Sequence, residues 1–335
     1  MRYHLPEICG YGLSFELDGF RLILLGVTLL AWFMALLVSV EYMKHDKHAK
    51  RYYFFTVLTM AATMGVFLAA DFFTAFLFFE LMSFTSYTWV AQTEKKEALR
   101  AADTYLAVAV TGGLAMLMGL FLLYHMYGTL DFVSLQQLTA GEAKTPMLYA
   151  AGVCILVGFG AKAGVFPLHI WLPKAHPVAP APASALLSGI LTKTGIFGVI
   201  VLSVRIFGGD QHWGVLLALL GSVTMFIGAL LGVFALDLKG TLACSSVSQI
   251  GFIVTGVAMC SLLYQEHALA AHGTLLHMMN HSLIKLVLFL SAGVVYMNTH
   301  ELDLNVIRGF GRKKPLLAVC FAIGGLSIGG IPLFS

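Results

Sequence analysis

The sequence predicts an all-α polytopic membrane protein. Hydrophobic residues make up 59% of the 335 residues, charged residues only 11%, and the mean hydropathy is +0.86. An ordinary soluble domain carries about 25% charged residues and could not bury this much apolar surface. The apolar runs exceed the ~18 residues of a transmembrane helix candidate without alternating, which excludes a β-barrel.

Composition and motifs exclude several other classes of function. The net charge of +3 is too small to indicate a nucleic-acid partner. The five cysteines are scattered without a CxxC pair, which favours small buried hydrophobes over a zinc or iron–sulfur site. Because the chain also lacks a Walker lysine motif and a GxGxxG after a strand, we expect no cofactor and no resident metal.

Ten apolar segments are long enough to cross a bilayer as helices. They span about 18–40, 52–70, 72–91, 102–127, 147–170, 181–207, 213–235, 240–262, 268–297 and 315–335. The loops between them are short, so 18–335 is predicted to be a single membrane domain. The segment 1–17 precedes it and has no apolar core of signal-peptide length.

Loop charges predict the orientation of this bundle. Thirteen cations lie on the side reached after the first helix: Lys44, Lys47, Lys50, Arg51, Lys95, Lys96, Arg100, Lys174, Lys239, Arg308, Arg312, Lys313 and Lys314. Four lie on the other side: Arg2, Arg21, Lys144 and Arg205. The positive-inside rule then predicts a cell (inner) membrane protein with an extracytoplasmic N-terminus and cytoplasmic loops at 41–51, 92–101 and 298–314.

Two apolar segments, the fifth and the tenth, carry glycines just ahead of a proline. The first includes Gly160, Gly164 and Pro167, and the second runs from Gly324 to Pro332. Such helix breaks survive in a bilayer only where neighbours or water satisfy the freed backbone groups. Paired broken helices indicate inverted five-helix repeats. The alternative is two ordinary proline kinks.

Four ionisable residues lie deep in predicted spans: Glu80, Lys162, Lys193 and Lys285. Each costs about 2.5–3.5 kcal/mol at a helix centre, so such groups normally face the bundle interior and mark an ion path. Glu80 is the only carboxylate among them, and we expect it to be the partner of Lys162. Snorkelling of the lysines to the interface is the alternative.

His277, His281 and Lys285 share one face of the ninth helix. Their i, i+4, i+8 spacing separates them by about 6 Å per step. Histidine titrates nearest neutral pH, so the three side chains predict a proton ladder with intervening water. A zinc site shared by the two histidines and core histidines bonded to the backbone are the alternatives.

At these residues the sequence resembles the antiporter-like membrane subunits of respiratory complex I, Mrp-type sodium/proton antiporters and energy-converting membrane hydrogenases. The resemblance covers nearly the whole chain. It rests on five stretches: Phe79-Glu-Leu-Met-Ser-Phe-Thr-Ser-Tyr87, Ala161-Lys-Ala-Gly-Val-Phe-Pro-Leu-His-Ile-Trp-Leu-Pro-Lys-Ala-His-Pro-Val-Ala-Pro180, 184–195 with Lys193, 237–251 and 277–285.

The resemblance implies a membrane domain of the proton-conducting transporter type, built from inverted five-helix repeats. It makes Glu80 and Lys162 a coupled pair and Lys193 the central relay, and it directs His277, His281 and Lys285 toward a second half-channel. It also implies a translocase subunit of an NADH dehydrogenase-like or hydrogenase complex, without its own redox cofactor. The implied partners are other membrane subunits, the lipid bilayer and protons, with sodium as the alternative ion.

The resemblance further implies that this chain is clipped at both ends, because family members have two more helices before the equivalent of residue 18 and continue past Ser335. Two other functions stay open on sequence grounds. A stand-alone solute transporter predicts a roomy site at the midplane. A structural scaffold predicts that replacing the buried charges costs nothing.

Overall fold

The computed structural model describes residues 1–141, 143–263 and 267–331, apart from the side chains of Cys9 and His267. Within these ranges the chain is a bundle of helices with one small hairpin. The helices are α1 Gly19–Tyr42, α2 Ala49–Leu68, α3 Phe72–Val90, α4 Lys96–Tyr127, α5 Phe132–Thr139, α6 Pro146–Ala163, α7 Trp171–Val178, α8 Ala181–Leu186, α9 Thr192–Arg205, α10 Gln211–Val233, α11 Leu238–Leu262, α12 His267–Thr299, α13 Phe310–Lys313 and α14 Pro315–Ile328. A π-helical segment, Leu187–Leu191, joins α8 to α9.

Each of the ten predicted segments contains a helix, which confirms the all-α polytopic fold. Eight spans in the described part of the chain are long and apolar enough to cross a bilayer, with α6–α7 and α8–α9 each forming one span. The helix α3 is not among them because its Thr, Ser and Glu residues lower its hydropathy. At 14 residues, α14 is shorter than a full crossing.

Strands β1 Arg2–Leu5 and β2 Leu13–Glu16 form an antiparallel hairpin before the first helix. The hairpin is fixed to the start of α3, since the backbone N–H of Ser14 donates to Thr74 Oγ1 at 2.9 Å and its carbonyl accepts from Ala70 N at 2.9 Å. The sequence alone did not predict these strands.

Two matching backbone contacts are consistent with the predicted internal repeat. In the first half, an isolated antiparallel bridge joins Asp71, the N-cap of α3, to Asp131, the N-cap of α5. In the second half, the same kind of bridge joins Asp237, the N-cap of α11, to Asp303. The helices α3 and α11 are the third and eighth of the ten segments predicted to cross the membrane in alternating directions. On that prediction the two bridges lie on opposite faces of the bundle, as inverted five-helix repeats require.

The helix break predicted near Pro167 is present. The helix α6 ends at Ala163, and Gly164 takes up a positive φ of 84°. The N–H groups of Gly164 and Val165 both donate to the Gly160 carbonyl at 2.9 Å, which satisfies a carbonyl at the end of the helix. The chain then resumes as α7 after a short 3₁₀ turn.

The second break begins in the same way. The helix α14 ends at Ile328, Gly330 has a φ of 71°, and Ile331 N donates to the Leu326 carbonyl at 3.2 Å. Pro332 itself lies outside the described residues. Glycine suits both Gly164 and Gly330 because a side chain is strained at positive φ.

Candidate functional site

Lys162 is buried in the last turn of α6, with 3% of its surface exposed. Its Nζ donates to Ser83 Oγ at 3.0 Å and to Tyr105 Oη at 2.5 Å. The ammonium also lies 4.8 Å from the centroid of the Tyr105 ring. Lys162 therefore does not snorkel to the membrane interface, because its side chain ends inside the bundle against α3 and α4.

Glu80 does not form the expected ion pair with Lys162. Among the described residues, each ion pair with a nitrogen-to-oxygen distance of 4.0 Å or less joins other side chains. The buried Oε1 of Glu80 has no hydrogen-bond partner among the described residues. The carboxylate packs against α4 at Gly113, where an added Cβ would lie 2.4 Å from Oε1. In this structure the hydrogen-bond partners of Lys162 are the hydroxyl groups of Ser83 and Tyr105 instead.

Lys193 occupies the centre of a second buried cluster, just after the π-helical segment. Its Nζ donates to the Ser188 carbonyl at 2.7 Å and lies 2.9 Å from Nδ1 of His281. Thr192 Oγ1 donates to the same Ser188 carbonyl at 2.8 Å. A π-bulge leaves backbone groups without their usual helical partners, and such bulges are frequent at functional sites. Here the Ser188 carbonyl of the bulge accepts a hydrogen bond from Lys193.

The three side chains of the predicted ladder on α12 have different partners. Lys285, fully buried, donates to the Leu242 carbonyl at 2.8 Å and to Ser245 Oγ at 2.5 Å on α11. His277 is half-buried and its ring lies 6.4 Å from that of His281. In the described residues, no group of three or more His, Cys, Asp or Glu side chains is placed to hold a metal ion.

The Lys162 and Lys193 clusters are joined by close backbone packing of α6 against α9. A Cβ added at Gly195 would lie 2.3 Å from the Phe159 carbonyl oxygen and 2.6 Å from Ala163 N. Thr194 Oγ1 contacts Met82 Sδ of α3 at 3.7 Å. Residues adjacent to Lys162 and Lys193 therefore touch, although the two ammonium groups have separate hydrogen-bond partners.

The space beside Lys193 is small. A cavity of about 10 Å³ is lined by Lys193, Thr28, Ser282 and neighbouring apolar side chains. A water molecule needs roughly 10–15 Å³ measured in this way. A larger cavity of about 670 Å³ lies at the helix ends beside Arg205, and none of the six predicted relay residues lines it.

Sequence reasoning missed several buried polar residues around these clusters. Lys239, expected in a cytoplasmic loop, is instead 2% exposed and donates to the Ala179 carbonyl at 2.8 Å. It lies in the first turn of α11, which begins at Leu238, and its ammonium lies 5.8 Å from the centroid of the Tyr296 ring. His176 is fully buried and neither ring nitrogen has a described partner. Tyr105 and the serines that contact the lysines lie in apolar spans. A hydroxyl group inside such a span was the one feature of the sequence that could have indicated a partner for a buried lysine.

Comparisons with known proteins agree with this architecture. The model of the family described as "NADH:quinone oxidoreductase/Mrp antiporter, TM" matches residues 69–335. Hydrogenase-4 component B of Escherichia coli (strain K12) is 32% identical over 332 residues, which cover 96% of this chain and 49% of that protein. A Na(+)/H(+) antiporter subunit of Alkalihalophilus pseudofirmus is 30% identical over 326 residues, covering 97% of this chain and 65% of that protein.

A solved structure has the same fold. One chain of the Mrp complex from Dietzia sp. DQ12-45-1b matches with a TM-score of 0.88 and 27% identity, covering 99% of this chain and 61% of that one. The chain thus spans between about half and two thirds of the length of these relatives. Since the family model matches most of the sequence, the chain belongs to the NADH:quinone oxidoreductase/Mrp antiporter transmembrane family.

Proposed function

We propose that the chain is a proton-translocating membrane subunit of a redox-driven complex or of a multisubunit cation/proton antiporter. Protons move along Glu80, Lys162, Lys193, His277, His281 and Lys285, and partner subunits supply the electron chemistry or the sodium path. The observation that carries this proposal is the 2.9 Å contact between Lys193 Nζ and His281 Nδ1, both buried. Amine and imidazole groups in contact can exchange a proton without moving the backbone.

The size of the space supports a proton over a larger solute. The cavity at Lys193 has room for about one water molecule, not for an organic substrate. The named relatives also support the proposal, since one is a hydrogenase component and the other belongs to a Na(+)/H(+) antiporter. Other membrane subunits are therefore the proposed partners, and sodium is the alternative ion.

The proposed location is the cell membrane, with the N-terminus extracytoplasmic. Loops 41–51, 92–101 and 298–314 then face the cytoplasm. The support is the excess of lysine and arginine in those loops. With this orientation, the two Asp–Asp bridges lie toward opposite sides of the membrane.

The test is proton translocation by the assembled complex in sealed membrane vesicles, with and without sodium. We expect Glu80→Ala and Lys162→Ala each to abolish translocation while the chemistry of the partner subunits partly persists. Each single change leaves the other ionisable group buried with no opposite charge in that part of the bundle, so we expect it to destabilise the bundle more than the double change. Translocation at the parent rate in Lys162→Ala, or sodium movement without proton movement, would contradict the proposal.

A further inference from the structure

Tyr105 is buried beside Lys162 and held by its neighbours. It is 1% exposed, and its ring lies 4.9 Å from that of Trp171 in an edge-on arrangement. Trp171 Nε1 in turn donates to the carbonyl of Ala161, the residue before Lys162, at 2.8 Å. The phenol is thereby tied to the same turn of α6 that carries the lysine.

The hydrogen bonds around this phenol run in one direction. An ammonium has only donors, so Lys162 donates to Tyr105 Oη. The phenol proton is then directed to Ser86 Oγ at 2.6 Å, and Ser86 donates to the Met82 carbonyl at 2.5 Å. Because a backbone carbonyl cannot pass a proton onward, this series of hydrogen bonds ends at Met82. It is suited to holding the ammonium, not to conducting a proton away from it.

The hydroxyl groups that accept from Lys162 compete with the Glu80 carboxylate for its ammonium group. Ser83 lies three residues after Glu80, so the two side chains are on the same side of α3, where Ser83 contacts Lys162 and Glu80 contacts α4 at Gly113. The lysine is bonded to Ser83 and Tyr105, and the carboxylate oxygen Oε1 has no described partner. The lysine stem is long and flexible, so a shift of the side chain alone could carry the ammonium from these hydroxyl groups toward the carboxylate.

We propose that Tyr105 is a positioning residue that holds Lys162 away from Glu80 between proton-transfer events. This role rests on the proposed translocation function. In it, Tyr105 stabilises the state in which Lys162 and Glu80 are apart. The Tyr105 and Ser83 hydroxyls accept from the ammonium without neutralising it, so Lys162 remains able to give up its proton. Without the phenol hydroxyl, the ammonium rests preferentially at Glu80, and transfer stalls.

The test is Tyr105→Phe in the assembled complex, which keeps the ring against Trp171 and removes only the hydroxyl. We expect translocation per partner turnover to fall about 10- to 100-fold, the range for losing one hydrogen bond to a charged group. Tyr124→Phe is the matched control on the same helix. Its side chain is 41% exposed, and we expect the parent rate.

An infrared spectrum separates positioning from a structural defect. The carboxyl band of Glu80, assigned with Glu80→Gln, should change in Tyr105→Phe as the ammonium moves to the carboxylate. In a Lys162→Ala background, Tyr105→Phe should leave that band unchanged. Parent-rate translocation in Tyr105→Phe, or an equal band change with and without Lys162, would overturn this role. If Lys162→Ala alone has no effect, the proposed function itself fails, whatever Tyr105 does.

Discussion

Lys193 Nζ lies 2.9 Å from Nδ1 of His281, a residue 88 positions later in the chain. Both side chains are buried, at 2% and 1% exposure. At this distance one group must donate to the other, so the pair shares a single proton between an amine and an imidazole nitrogen. His281 Nε2 has no described partner, which leaves a second position on the ring for exchange. The contact joins the lysine of α9 to the titratable face of α12.

The two histidines of α12 should contribute unequally. His281→Gln keeps an acceptor near Lys193 but cannot take up a proton, and we expect translocation to fall on the order of 100-fold. His277→Gln should have a smaller effect, because His277 packs against Phe252 with ring centroids 4.8 Å apart and lies one turn from the contact. The double change should slow transfer further and leave the bundle folded. Equal losses in the two single variants, measured in the same vesicles, would count against the Lys193–His281 contact as the transfer step.

Gly113→Ala, a change on α4, should displace the Glu80 carboxylate of α3. The added Cβ would lie 2.4 Å from Glu80 Oε1, so the carboxylate must move. We expect proton translocation to be lost while the protein still assembles. Gly26→Ala in α1 is the matched control, since a Cβ there meets no atom within 4 Å, and it should pump at the parent rate. A Gly113→Ala variant as active as Gly26→Ala would show that the position of the carboxylate does not matter.

Gly164→Ala should destabilise the broken helix more than Gly128→Ala destabilises the end of α4. Both glycines cap a helix at positive φ, which costs roughly 1–2 kcal/mol for a residue with a Cβ. A Cβ at Gly164 would also lie 2.2 Å from Cδ1 of the buried Leu172, whereas one at Gly128 meets no atom within 4 Å. Thermal unfolding of the purified protein measures the difference. Equal midpoints for the two variants would mean that the packing of α7 against the break adds nothing.

Single cysteines in a cysteine-free background should report the orientation. Val306→Cys, at a position 64% exposed, should react with a membrane-impermeant reagent only from the cytoplasmic side. Ala143→Cys, also exposed, should react only from outside. The excess of lysine and arginine in the 298–314 loop is the physical reason. Labelling at 143 from the cytoplasm would reverse the orientation.

The helices and the first break could be predicted because they depend on local properties. Apolar segments of bilayer length fold as helices when water is absent, and the glycines around Gly164 stop one of them whatever its neighbours are. The π-helical segment Leu187–Leu191 had no comparable pattern, and 181–207 reads as one continuous helix. Its geometry depends on packing, since a Cβ at Gly189 would lie 3.2 Å from the Ser282 carbonyl of α12.

The buried ionisable residues could be recognised from the sequence, but their contacts could not. A deep charge is costly wherever it packs, so Glu80, Lys162, Lys193 and Lys285 stand out from sequence alone. Which atoms they touch depends on helix packing between residues far apart in the chain. Sequence reasoning therefore favoured Glu80 as the partner of Lys162, whereas the structure places Ser83 and Tyr105 there. Lys239 was misplaced for a different reason, because a lysine next to a helix start reads as a loop cation.

Proton translocation by Lys193→Ala in the assembled complex tests the relay. Lys193 joins the Lys162 side of the bundle to His281, so its removal should abolish translocation while the chemistry of the partner subunits partly persists. Lys193→Arg, which stays charged, should stall translocation with the fold intact. Native assembly and partner turnover, measured in both variants, separate a lost relay from a lost fold. If Lys193→Ala translocates protons at the parent rate, Lys193 is not the relay and the path proposed here is wrong.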